Sequence, residues 1–206
     1  KTIANGYQEI IITGVNLNQY VPGFSNLLTS LLEKTDIPLI SFGSIPLLCI
    51  DQKFIDLLKK YPTRISNFLH IPLQSGSDKI LKLMSRNYTK EKIIETFDKL
   101  KLINNITSPL VKEGTEGRLK FGTDIIVGFP GETDTDFQET FNLCQQIGFS
   151  KIHVFKYSPR PDTIARKLFL ESPKISKTTL KLRSQQLRSL ISQTTLPSHQ
   201  KPEKKN

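Results

Sequence analysis

The chain has 206 residues, 37% of them hydrophobic, enough for one sizeable core and too apolar for a disordered polymer; it carries neither a collagen period nor a heptad run. No stretch approaches the roughly 20 apolar residues needed to cross a bilayer, and Lys1 to Gly6 does not lead into a long apolar signal segment, so the expectation is a chain that is soluble or at most surface-attached, with no membrane partner, and the presence of only two cysteines predicts a cytoplasmic, reducing compartment. The 29 Lys and Arg outnumber the 19 Asp and Glu, giving a net charge of +10 that admits a polyanionic partner, although Lys201, Lys204 and Lys205 place part of the excess in a tail.

Glu9 to Thr13 is a β-branched apolar block that predicts a buried parallel strand. Phe24, Leu27, Leu28, Leu31 and Leu32 follow at helical spacing, and Pro38 to Phe42 predicts a second strand. Asp51 is placed to cap a helix bearing Phe54, Ile55, Leu57 and Leu58. Phe68 to Ile71 reads as a third strand, and Ser77 or Asp78 opens a helix through Ile80, Leu81 and Met84. Thr89 caps a longer helix whose packing face is Ile93, Ile94, Phe97, Leu100 and Leu102. Asn104 to Lys120, with Pro109, Gly114 and Gly117, predicts a long surface loop. Thr123 to Phe129 is a buried strand. Thr133 with Asp136 forms a capping box for a helix carrying Phe137, Phe141, Cys144 and Ile147, which Gly148 stops. Lys151 to Phe155 is the fifth strand, and Leu180, Leu187 and Leu190 mark a last, outer helix.

Strand and helix thus alternate about five times, an α/β pattern with a parallel sheet, either part of a barrel or an open sheet. One domain is expected over residues 1–192 and a disordered basic tail over 193–206. In such folds the chemistry sits past the carboxyl ends of the strands. Those positions hold Gly14 to Asn16, Gly43 to Ile45, His70 with Gln74 to Gly76, Gly128 to Thr133, and Tyr157, Ser158 and Arg160. Turn formers gather at any rim, but Gln74, His70 and Arg160 are not turn formers and are not needed there for folding. Gly128 and Gly131 could let a cofactor approach backbone N–H groups, although Gly128-Phe-Pro-Gly131 is neither a phosphate loop nor a dinucleotide fingerprint. No nucleophile–base–acid triad is evident, and three histidines are thin material for a metal. Cys49 and Cys144 are too few for a disulfide scaffold and too far apart for a local metal knuckle, and they read as buried inert thiols.

Two of these rim segments carry a resemblance. Asp124-Ile-Ile-Val-Gly128-Phe-Pro-Gly131-Glu132-Thr133 with Phe137, and His70-Ile-Pro-Leu-Gln74-Ser75-Gly76-Ser77-Asp78 with Met84, Arg86 and Tyr88, resemble the motifs of radical S-adenosylmethionine (SAM) methylthiotransferases. Thr13-Gly14-Val15-Asn16 and His153-Val-Phe-Lys-Tyr157-Ser158-Pro-Arg160, with Thr163 and Ala165, look most like the branch acting on N6-threonylcarbamoyladenosine 37 of tRNA; the isopentenyladenosine and ribosomal-protein branches are similar alternatives.

The resemblance, over about residues 5 to 190, implies a partial TIM-like (β/α) radical SAM barrel, roughly strands 2–6 of it. It implies methylthio transfer to C2 of a modified adenosine, with tRNA as partner, S-adenosyl-L-methionine as cofactor and two [4Fe-4S] clusters in the full-length family. Gln74, Ser75, Arg86, Asp124, Gly128, Phe129, Pro130 and Gly131 become the cofactor-side residues, and Asn16, His70, Tyr157 and Arg160 the substrate-side residues. The chain departs from the family in lacking a CxxxCxxC triplet, and it reads Leu39-Ile-Ser-Phe-Gly43-Ser44-Ile45-Pro46 where relatives have an Arg-bearing strand and a Ser-Ile-Glu-Pro turn. Hence no cluster, no metal and no catalytic residue is expected on this chain, which is read as inactive alone, with a companion chain or an amino-terminal region supplying the cluster cysteines. A non-catalytic RNA-binding module is the alternative.

Overall fold

The computed structural model describes residues 6–106 and 118–194. Five strands, β1 (Glu9–Ile12), β2 (Leu39–Phe42), β3 (Phe68–His70), β4 (Lys120–Val127) and β5 (Lys151–Lys156), alternate with α1 (Phe24–Lys34), α2 (Gln52–Lys60), α3 (Asp78–Leu83), α4 (Lys90–Ile106) and α5 (Asp134–Ile147). Two more helices, α6 (Ile164–Glu171) and α7 (Lys177–Thr194), complete the order. All pairings are parallel: β1 with β2 in register Glu9 to Leu39, and β3, β4 and β5 side by side. Between β2 and β3 the ladder is carried by single bonds, Ile40 N–H to the Arg64 carbonyl at 2.8 Å and Ile45 N–H to the His70 carbonyl at 2.8 Å. The strands therefore follow one another in sequence order, the wall of a partial (β/α) barrel in which each helix is the crossover between parallel neighbours.

The helices start and stop where their end groups find partners. Asp51 accepts the Phe54 N–H at 2.7 Å, and Thr133 and Asp136 satisfy each other's backbone donors as the capping box requires. Gly148 ends α5 at a left-handed φ of 74°, where a Cβ would cost energy. At the end of α1 the satisfying group comes from afar: the Arg64 guanidinium donates to the carbonyls of Leu32, Thr35 and Ile37 at 2.8, 2.7 and 3.0 Å. The core runs from Leu28 and Phe54 through Ile40, Leu69 and Ile71 to Phe97, Phe149 and Leu187.

Several expectations change. β1 is parallel but not buried: it alternates exposed and half-buried residues, with Ile11 64% exposed, because among the described residues it pairs only with β2 and packs Ile10 and Ile12 inward. On α4 the packing face takes Ile103, while Leu102 is 57% exposed, one position round the helix from the expected stripe. That helix continues through Ile106 into the segment expected as loop; residues 107–117 and the expected tail beyond Thr194 lie outside the described residues. β4 begins at Lys120, and α6 was not foreseen. No helix among the described residues is long and apolar enough to cross a membrane.

Candidate active site

A cavity of about 540 Å³ opens at the carboxyl ends of β4 and β5, lined by Gln74, Asp124, Phe129, Tyr157 and Arg160 among others. Gln74 reaches it from an unusual backbone. Its φ is +70°, yet its N–H donates to the Asp124 carbonyl at 2.8 Å and its carbonyl accepts from Ile126 at 2.9 Å. These bonds extend β4 pairing past β3 and hold a glutamine where glycine would be at ease, a strain that persists only where the surroundings enforce it. Phe129 and Tyr157 meet edge to face at 5.2 Å, forming an aromatic wall. The Tyr157 hydroxyl is buried with no hydrogen-bond partner among the described residues, so a polar ligand group in the cavity would relieve its desolvation. Lys156 and Arg160 add positive charge, and Thr163, which caps α6 by accepting the Arg166 N–H at 3.2 Å, brings α6 to the rim.

Other residues singled out in the sequence stand beside the cavity rather than in its lining. Ser75 is buried under the turn, bonded to Thr140 Oγ1 at 3.2 Å. Gly128, at φ +77°, donates its N–H to Glu132 at 2.7 Å, and the place of its absent Cβ lies 2.3 Å from a Leu180 methyl of α7. Thus Gly128 serves the packing of α7 over the turn. Pro130 is buried, and Gly131 has φ +84° with Leu83 over it. Arg86 is exposed after α3, and Asn16 is exposed at the end of β1, where its carbonyl starts a short 3-10 turn. His70 is buried beneath the cavity against Asp124. The lining also takes Ile126, Phe155, Lys156, Thr163 and Ala165, which all lie in the segments that carry the resemblance but were not singled out there as site residues.

The turn after β4 is clamped from α7. Arg183 pairs with Glu132 and, at 2.6 Å, with Asp134; burial pushes the Glu132 carboxyl up, against the pull of the Gly128 N–H and the Arg183 guanidinium. The two cysteines sit apart and closed: burial, then Asp51, pushes the Cys49 thiol up to about 11, and burial pushes the Cys144 thiol up to about 12. Neither presents a thiolate.

The sequence pattern of the radical SAM superfamily matches residues 1–144. The chain is 36% identical over 169 residues to the tRNA-2-methylthio-N(6)-dimethylallyladenosine synthase of Bdellovibrio bacteriovorus, covering 80% of this chain and 35% of that protein. It is 38% identical over 170 residues to the threonylcarbamoyladenosine tRNA methylthiotransferase MtaB of Thermotoga maritima, covering 81% of this chain and 36% of that protein. The chain therefore spans about a third of the length of these curated relatives. Coproporphyrinogen III oxidase (HemN) from Escherichia coli, a radical SAM enzyme, superimposes with a TM-score of 0.61 at 18% identity over 91% of this chain and 40% of that one, which shows the shared fold. The chain belongs to the radical SAM superfamily, and its sequence kin within it are tRNA methylthiotransferases.

Proposed function

We propose that this chain is the substrate-side wall of a tRNA methylthiotransferase barrel that modifies C2 of N6-threonylcarbamoyladenosine 37. The observation that carries the reading is the cavity itself, where an aromatic wall of Phe129 and Tyr157 meets the cations Lys156 and Arg160. An adenine ring suits the wall, and the threonyl carboxylate suits a guanidinium, which can donate two parallel bonds to it. A dimethylallyl group, being apolar, has no use for either cation.

S-adenosyl-L-methionine supplies the C–H activation in this family. Gln74, Asp124 and the Tyr157 hydroxyl would hold its polar groups at the cavity, the orphaned hydroxyl being the feature of this chain that fits a polar ligand. A [4Fe-4S] cluster does not fit the residues present, since the two thiols are separate, buried and held protonated, so no step through a cluster is assigned to this chain. Activity of the chain by itself is not expected.

The test is binding of two anticodon stem-loop RNAs that differ only in carrying the threonylcarbamoyl or the dimethylallyl modification. The expected result is tighter binding of the first, with the preference lost in Arg160→Ala. Equal affinity for both RNAs would overturn the branch assignment, and no salt-sensitive RNA binding at all would overturn the tRNA reading.

A further inference from the structure

Three adjacent strands each send one metal-ligating side chain to a single point on the inner wall. Asp124 of β4 lies in register with His153 of β5, and His70 of β3 lies in register with Gly122. His70 Nε2 is 3.0 Å and His153 Nδ1 3.1 Å from the same carboxylate oxygen, Asp124 Oδ1. The imidazole centroids are 5.3 Å apart, and one ligand atom from each of the three residues lies within 4.8 Å of the others.

A four-coordinate ion with bonds of about 2.0–2.1 Å holds its ligands about 3.3 Å apart. The two distances to Asp124 Oδ1 are already close to that edge, so an ion could enter if the two imidazole nitrogens, the wider pair of the three, drew together around it and the imidazoles changed tautomer. Gly122 makes the arrangement possible: a Cβ there would stand 2.7 Å from His70 Nδ1 and 2.7 Å from the Phe68 ring. His153 is 43% exposed on its side chain and Asp124 lines the cavity, so the point is reachable from solvent. Two imidazoles and one carboxylate suit a borderline ion rather than calcium or magnesium.

We infer that His70, Asp124 and His153 form a binding site for a divalent first-row transition ion of the zinc class, with a fourth position open toward the cavity. The site requires no cysteine and stands whether or not the chain binds tRNA.

The experiment is titration of the full 206-residue chain, purified without a histidine tag, with Co²⁺ followed by visible absorption, and with Zn²⁺ by calorimetry. One ion per chain is expected, with tetrahedral cobalt bands and no thiolate-to-cobalt charge transfer. His153→Ala and Asp124→Asn, checked for folding by circular dichroism, are each expected to weaken binding by more than the about 10–100-fold that loss of a second-shell partner costs. His199→Ala is expected to bind as the parent does. Failure to bind cobalt, thiolate charge transfer, loss of the site in His199→Ala, or undiminished affinity in a folded His153→Ala chain would each overturn the inference.

Discussion

Gln74 and Asp124 are joined backbone to backbone at 2.8 Å alongside β4, with Gln74 held at φ +70° and both residues lining one cavity. The bond explains how a residue type that avoids the left-handed region is kept there. Gln74→Gly retains the same backbone bonds and removes the Cβ penalty, worth roughly 1–2 kcal/mol. The folded state is therefore expected to be as stable as the parent, or up to that much more stable, in urea unfolding, while SAM binding weakens. A loss of stability would show that the Gln74 side chain supports the fold rather than the cavity.

Gly76 faces a different constraint. A Cβ on it would stand 2.7 Å from the Thr140 backbone Cα of α5 and 3.0 Å from a Leu143 methyl, so the turn packs on the helix with no room for a methyl group. Gly76→Ala is expected to destabilise the chain by about 1–3 kcal/mol, the usual range for overpacking, measured by urea unfolding at neutral pH. A change within about 0.5 kcal/mol, the scatter of unstructured surface sites, would mean that α5 moves freely relative to the turn.

Asp136 couples the same turn to pH. Burial opposes its charge, but Lys79 at 2.6 Å, Thr133 at 2.6 and 2.8 Å and Ser77 at 2.7 Å all donate to its carboxylate and hold it well below the usual range. A carboxyl whose folded pKa is depressed contributes stability that is fully present above its unfolded value, about 3.9, and is lost as pH falls toward the folded value. Stability is therefore expected to drop below about pH 4, and Asp136→Asn to flatten that drop at the cost of about 2 kcal/mol at pH 7 from the capping box and its charged bonds. Unfolding midpoints at pH 7 and pH 3 for both chains measure this; an equally steep drop in the variant would assign it to other carboxylates.

Much of this scaffold is legible in the sequence because local rules decide it. The Glu9, Leu39, Phe68 and Lys151 strands are apolar runs bounded by turn residues, and the Thr133 box and Gly148 stop are fixed by their own backbone needs. What escapes is set by the neighbour. Leu102 and Ile103 are equally apolar, and only the position of the sheet decides which is buried. The α6 helix has no fully buried residue to mark it, and Ile164 and Leu170 on it are exposed. His70 and His153 read as isolated histidines until the β3, β4, β5 order sets them on one carboxylate. Gly128 has the look of a cofactor turn, and its need for glycine arises from its own φ of +77° together with the Leu180 side chain of a helix far along the chain.

The Arg183–Glu132 pair shows how that distant helix governs the turn. Their side chains are 5% and 1% exposed, so neither charge can find water if the other is removed. Arg183→Met leaves a buried carboxylate held only by the Gly128 N–H, and a broken buried pair costs roughly 3–5 kcal/mol. Adding Glu132→Gln removes the orphaned charge while an amide oxygen still accepts from Gly128, so the double variant is expected to regain at least about 1 kcal/mol over Arg183→Met in urea unfolding. The recovery is expected to shrink as pH falls, because burial already pushes the Glu132 carboxyl up and a lone carboxyl without its cation takes up a proton more readily still. Additive losses in the double variant would show that Arg183 acts through Asp134 or through its packing on Phe137 at 5.2 Å rather than through Glu132.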